Sequence, residues 1–226
     1  MRLTYYGQSC VGIETAGKRL LFDPAINVNP IAQGKVDINA IPADILFLTH
    51  GHGDHVADAK AILERTNAQL VSNYEIVEWY AAKGIKNGVH MNLGGAITMG
   101  DLWIKYVTAV HSSGLPDGSY GGNPGGFVIK SPEGTFHHAG DSALTLDMQL
   151  LKRYDLRFAC LPIGDTFTMG VDDAVEAARY MGVTTVVGVH YDSFPSIRID
   201  HDKARDTFRK AGIVLHLPAI NETITV

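Results

Sequence analysis

Thr49-His50-Gly51-His52-Gly53-Asp54-His55 follows directly on the apolar run Ile45-Leu46-Phe47-Leu48, and the reading of this join decides the fold. In extended backbone, side chains two apart share a side. His50 and His52 are therefore expected to offer their imidazoles to one cation, while Asp54 and His55 turn towards a second. Gly51 and Gly53 carry no Cβ, which is expected to let the backbone bend and approach an ion between the ligands. A polar loop capping a helix, with Asp54 as N-cap, accounts for the carboxylate. It does not account for three alternating histidines beside an apolar strand.

Upstream, Leu3–Tyr6, Val11–Thr15 and Arg19–Phe22 read as strands, the last two joined by a tight turn at Ala16-Gly17-Lys18. The run ends on Asp23-Pro24, and residues 25–42 lack periodicity, as expected of a loop bordering a site. Downstream, Val56, Ala59, Ile62 and Leu63 share one face of a helix ending near Thr66. A strand over 69–72, a helix over 75–83, a strand over 101–110 and a glycine-rich mobile loop over 112–126 follow. That loop lacks the lysine and the helix of a phosphate cradle. Strands are then expected over 127–130, 135–139, 158–161, 183–189, 213–217 and 222–226, with helices over 144–153, 172–181 and 200–211. Strand-rich ends with helices between them predict a single α+β domain over 1–226, two mixed sheets face to face with helices outside.

A chain of 226 residues with 46% apolar content can bury a large core. The net charge of −5 gives no general attraction to nucleic acid or anionic lipid. Cys10 and Cys160 are the only two cysteines, too few for a disulfide framework. Neither a signal-peptide pattern nor a membrane-length apolar run is present. The expectation is a soluble, cytoplasmic protein acting on a small molecule, without nucleic-acid or membrane partners; homo-oligomerisation is left open.

Two ions need more ligands than one loop offers. His111 follows the strand over 101–110, Asp141 lies in His138-Ala139-Gly140-Asp141-Ser142, and His190 follows Val186-Val187-Gly188-Val189. Each stands where a strand gives way to a loop, rigid on one side and free on the other. Taken alone, each is an ordinary structural residue; with the first loop they form a constellation.

These motifs resemble those of the metallo-β-lactamase superfamily, and most closely the UPF0173-type metal-dependent hydrolases, relatives of the ascorbate-6-phosphate lactonase group. Leu161-Pro162-Ile163-Gly164, Phe167-Thr168-Met169-Gly170 and His190-Tyr191 with Phe194-Pro195 support that branch. The resemblance implies a four-layer αββα sandwich with the site along one sheet edge. It implies that His50, His52 and His111 hold a first metal and Asp54, His55 and His190 a second. Asp141 would bridge the two, and Asp23 would orient ligand imidazoles from behind. Zinc suits such donors first, and manganese or iron are accepted too.

A pair of dications lowers the pKa of a bridging water, so the expected chemistry is attack of a metal-bridging hydroxide on an ester, lactone or phosphodiester. Asp54 and His138 are the candidates for a direct catalytic part, with His137 on the opposite face of its strand. Tyr191, Asp192 and Arg198 are candidates for substrate contact, and local loop bonding is the plain alternative. His90, His201 and His216 lie outside the pattern, and no Gly-X-Ser-X-Gly nucleophile is present. The rival classes are a diiron oxidoreductase, whose relatives place a Glu where this chain has His52, and a non-catalytic metal-binding scaffold. His52→Ala and Asp141→Ala should each lose metal and activity while His216→Ala keeps both, as metal analysis of the purified variants would show.

Overall fold

A computed structural model describes residues 1–226. The chain opens on three antiparallel strands, β1 (Arg2–Gly7), β2 (Cys10–Thr15) and β3 (Lys18–Phe22). Ala16 and Gly17 both take positive φ, the mirror-image turn whose twist suits a two-residue hairpin. After the 23–44 loop come β4 (Ile45–Phe47), α1 (Gly53–Val56), α2 (Ala59–Thr66), β5 (Gln69–Asn73), α3 (Tyr74–Ala82) and β6 (Gly88–Met91). The second half repeats the scheme with β7 (Ala96–Met99), β8 (Leu102–Thr108), β9 (Gly125–Ser131), β10 (Gly134–His138) and β11 (Leu156–Pro162). It closes with α4 (Val171–Met181), β12 (Thr185–Val189), α5 (His201–Lys210), β13 (Val214–His216) and β14 (Glu222–Thr225).

The strands form two seven-stranded sheets, ordered β14-β1-β2-β3-β4-β5-β6 and β13-β12-β11-β10-β9-β8-β7. Each is antiparallel at its meander and parallel from β3 or β10 onward. Pleat alternation explains why residues 20–22 of β3 and all of β4 are apolar and buried. Phe22 and Phe47 point between the sheets, stacked at 4.7 Å, while Leu21 and Leu46 point outward beneath Ile62, Leu63 and Val77 of α2 and α3. The result is the αββα sandwich expected from the sequence.

Two local expectations are corrected, and two strands are added. The helix expected from Val56 to Thr66 is broken at Ala57-Asp58, because the Asp58 carboxylate accepts from the backbone of Ile26 and Asn27 and ties the 23–44 loop down instead. Residues Leu146–Tyr154 form a 3₁₀ helix rather than an α-helix, with Met148 and Leu151 buried at the three-residue spacing of that helix. Strands β6 and β7 went unforeseen: each is a four-residue edge strand, and of their residues only Met91 is buried.

The register of β3 on β4 sets where their ends emerge. Asp44 accepts from the Arg19 backbone N–H at 2.8 Å and from its guanidinium at 2.9 and 2.6 Å, locking Leu20 opposite Ile45. The Arg19 hydrogen bonds bring the Asp44 carboxyl down from its ordinary value to about 2. A depressed pKa contributes stability that is present above the unfolded value near 4 and lost as pH falls through the folded value. Asp44→Asn should therefore cost about 1 kcal/mol at pH 7, a partly exposed pair being screened by solvent. Urea unfolding should show the gap between variant and parent closing as the pH is lowered from 4 towards 2.

Candidate metal centre

Five strands deliver polar side chains to one edge of the sandwich. Asp23 follows β3, Thr49 to His55 follow β4, His111 follows β8, Asp141 follows β10 and His190 follows β12. The two sheets thus meet at an edge where apolar packing gives way to donors. Three sets have ligand atoms within 4.8 Å of one another: His50, His52 and His111; His50, His55 and Asp141; and Asp54, His55 and His190. The group that holds Asp141 shares His50 with the first and His55 with the third.

The Asp141 Oδ2 atom is the focus. The Nε2 atoms of His190, His55, His111 and His50 lie 3.1, 3.3, 3.6 and 3.9 Å from it. Burial alone would raise the Asp141 carboxyl, but His55 and His190 overcome it and hold the group well below the usual range. Conversely, burial would lower His55 and His190, and Asp141 leads the charges that raise them, His190 to about 9. His50, His52 and His111 are instead lowered, chiefly by burial, so they stand as neutral nitrogen donors.

Behind these groups a short relay fixes the imidazoles. Asp23, fully buried, accepts from the Thr49 backbone at 2.8 Å, from the Thr49 hydroxyl at 2.7 Å and from His55 Nδ1 at 3.0 Å. The Thr49 hydroxyl gives its one proton to Asp23, so it must accept from His50 Nδ1, 3.0 Å away. Both His50 and His55 thereby turn Nε2 inward. Gly140 admits this contact: at φ +61, its absent Cβ would lie 2.6 Å from Thr49 Cβ. Gly164 has the same part beside His190, whose carbonyl oxygen would stand 2.2 Å from an added Cβ.

The pocket-facing glycines of the first motif behave differently from expectation. Gly51 has negative φ, and a Cβ there would press on Leu115 of the 112–126 loop, while at Gly53 a Cβ would meet nothing within 4 Å. Close packing by that loop explains Gly51. The loop itself is pinned: Asn73 donates to the Gly121 and Asn123 carbonyls, and Ser113 joins Gly51 to Gly121.

Among the other sequence candidates, His138 does not reach the centre with a free nitrogen. It is fully buried and stacked on Phe22 at 4.7 Å. Its Nε2 donates to the Ser9 carbonyl, and its Nδ1 accepts from the Gly140 backbone. That geometry locks the turn ahead of Asp141 and offers nothing to a substrate. His137 points the other way and donates from Nδ1 to the Phe127 carbonyl. Tyr191 is buried against Tyr5, Asp192 is taken up by His201 and the Ile199 backbone, and Arg198 is exposed without an ion pair. His90 pairs with Glu78.

One residue of the centre was missed from the sequence. Gln8, in the bulged turn between β1 and β2, donates from Nε2 to Asp54 Oδ2 at 2.8 Å and accepts the His190 backbone N–H at 2.9 Å. It positions members of both halves. An amide in a turn carries no spacing signal, so only its contact reveals it.

The donor set fits divalent metal. His55 Nε2, His190 Nδ1 and Asp141 Oδ1 are buried without a hydrogen-bond partner, a costly condition for polar atoms in one place. All three residues belong to the ligand sets, His55 by this very atom, which faces Asp141, and the donors are all imidazole and carboxylate.

Comparison with known proteins agrees. The Beta-lactamase superfamily domain family matches residues 18–191. A UPF0173 metal-dependent hydrolase of Methylacidiphilum infernorum is 44% identical over 99% of both chains, and one of Flavobacterium johnsoniae is 46% identical over 99% of both. The solved structure of Igni18, a metallo hydrolase from Ignicoccus hospitalis, superposes with a TM-score of 0.89 at 31% identity, covering 99% of this chain and 97% of that one. The chain belongs to the β-lactamase superfamily and, within it, to the UPF0173 metal-dependent hydrolases.

Proposed function

We propose that this protein is a binuclear metal-dependent hydrolase of a small-molecule ester, lactone or phosphodiester. The observation that carries the reading is the convergence of four imidazole Nε2 atoms on Asp141 Oδ2, flanked by a three-histidine group on one side and Asp54, His55 and His190 on the other. His50, His52 and His111 would hold one ion, Asp54, His55 and His190 the other, and Asp141 would be shared. Zinc is the first candidate, with manganese or iron accepted by the same donors. When bound, such ions lower the pKa of water at the site and polarise a carbonyl or phosphoryl oxygen.

The chain's own residues have separable parts in this scheme. Asp23 and Thr49 orient His55 and His50, so ligand geometry is set before substrate arrives. Gln8 holds Asp54 through Oδ2, which leaves Oδ1 as an acceptor for a proton from the attacking water. Asp54 stays ionised for that part: burial opposes it, but His190 and His55 keep its carboxyl strongly depressed. Neither cysteine is placed as a nucleophile: Cys10 and Cys160 are buried with thiols pushed up by burial.

Elemental analysis of the purified protein, run beside an ester, lactone and phosphodiester screen with added zinc or manganese, tests the reading. Two metals per chain and turnover are expected; no metal and no turnover with either ion would leave a scaffold. Asp141→Ala should hold fewer than two metals per chain. Thr49→Val should keep the fold but weaken metal binding roughly 10- to 100-fold, the usual effect of losing a group that orients a ligand, measurable by competition with a chromophoric chelator.

A further inference from the structure

Beside the metal centre lies an open cleft of about 620 Å³, within the usual range for small-ligand sites. Asp54 lines it, so an occupant of the cleft reaches the reacting end of the site at that residue. Its other walls are mostly apolar and include Val28, Val56, Trp79 and Phe194, which come from separate parts of the chain. Val28 is 47% exposed, an unusual placement for a large aliphatic side chain beside a polar centre.

The charges around the cleft argue against an anionic occupant. Lys60, the only cation on its wall, is 2.5 Å from Glu64 one helical turn on, which compensates it. The Trp79 indole N–H is already donated to Asp117 at 2.6 Å, and Lys83 sits over the Trp79 ring beside the same Asp117. No arginine lines the cleft, and Asp54 adds negative charge. A phosphate or carboxylate placed there would find no free partner.

We propose that this cleft seats the non-reacting part of the substrate, and that this part is an uncharged apolar chain or ring. The substrate class is then neutral carboxylic esters or lactones rather than phosphate-bearing compounds. The inference rests on the hydrolase reading above. Hydrolysis consumes one water: its oxygen bonds to the acyl carbon, the acyl C–O bond breaks, and a proton passes to the departing alcohol oxygen.

Trp79 and Trp103 are the two tryptophans, so a Trp103→Phe background makes Trp79 the sole reporter. In metal-free protein, butanamide, pentanamide and hexanamide should change Trp79 fluorescence with affinity rising about fourfold per added methylene, while glucose 6-phosphate should not. Ala57→Glu, at an exposed position on the cleft wall, should weaken hexanamide binding at least tenfold, and Phe194→Ala should weaken it by a smaller factor. With metal added, kcat/KM for p-nitrophenyl esters should rise from acetate to hexanoate. Binding of glucose 6-phosphate in place of the amides would overturn the proposal. So would turnover of acetate and hexanoate at equal rates with no amide response, a result that leaves the hydrolase reading standing. Amide binding without turnover of any ester, lactone or phosphodiester would keep the apolar site and overturn the hydrolase reading instead.

Discussion

The buried carboxylate of Asp23 is the contact on which the centre depends. It leaves β3 in a left-handed conformation, φ 43°, that few residues adopt, aspartate being among those that tolerate it. In return it ties the first residue of the histidine loop to β3 and turns His55 and, through the Thr49 hydroxyl, His50 to face Nε2 inward. Hydrogen bonds to a charged acceptor are the strong ones, and three converge here. The strain at Asp23 persists because those bonds over-determine its position.

The same exchange of local strain for site geometry recurs around the edge. Gln8, Asp165, Thr166, His190 and Asp192 also take positive φ, and each lies in a loop that borders the centre or carries one of its donors. Gln8 and His190 are joined by a backbone hydrogen bond, so strain on one sheet is held by strain on the other. Asp165 and Thr166 shape the turn that returns Met169 to the Ser142 carbonyl, next to Asp141. Residues of this kind gather where function, not packing, sets the backbone.

Charge follows the same logic as strain. Burial would neutralise Asp141, His55 and His190, and their mutual contact keeps them ionised, while burial leaves His50, His52 and His111 neutral. The rest of the sandwich is conventional: Phe22, Phe47, Phe127 and Phe136 pack between the sheets, and helices shield their outer faces. A rigid apolar interior is what allows five strand ends to meet at fixed distances. The neighbouring cleft shows the opposite character, apolar and without a free cation, which separates the place of chemistry from the place of recognition.

Much of this was legible before any coordinates. Donor-rich residues at the ends of apolar runs are local features, so His50, His52, Asp54, His55, His111, Asp141 and His190 stand out by residue type and position, and pleat alternation reveals most strands. The double exposure of β4 to two cores is likewise written in its continuous apolar character. Tertiary structure alone decided the parts whose meaning lies in a contact between distant segments. Gln8 acquires its part only because Asp54 and His190 arrive beside it, and His138 loses its expected one because Ser9 and Gly140 take both its nitrogens. The break at Asp58 and the short edge strands β6 and β7 have the same origin. A sequence reports the chemistry and periodicity of each segment, whereas the partner of a hydrogen bond is set by packing of residues far apart in the chain.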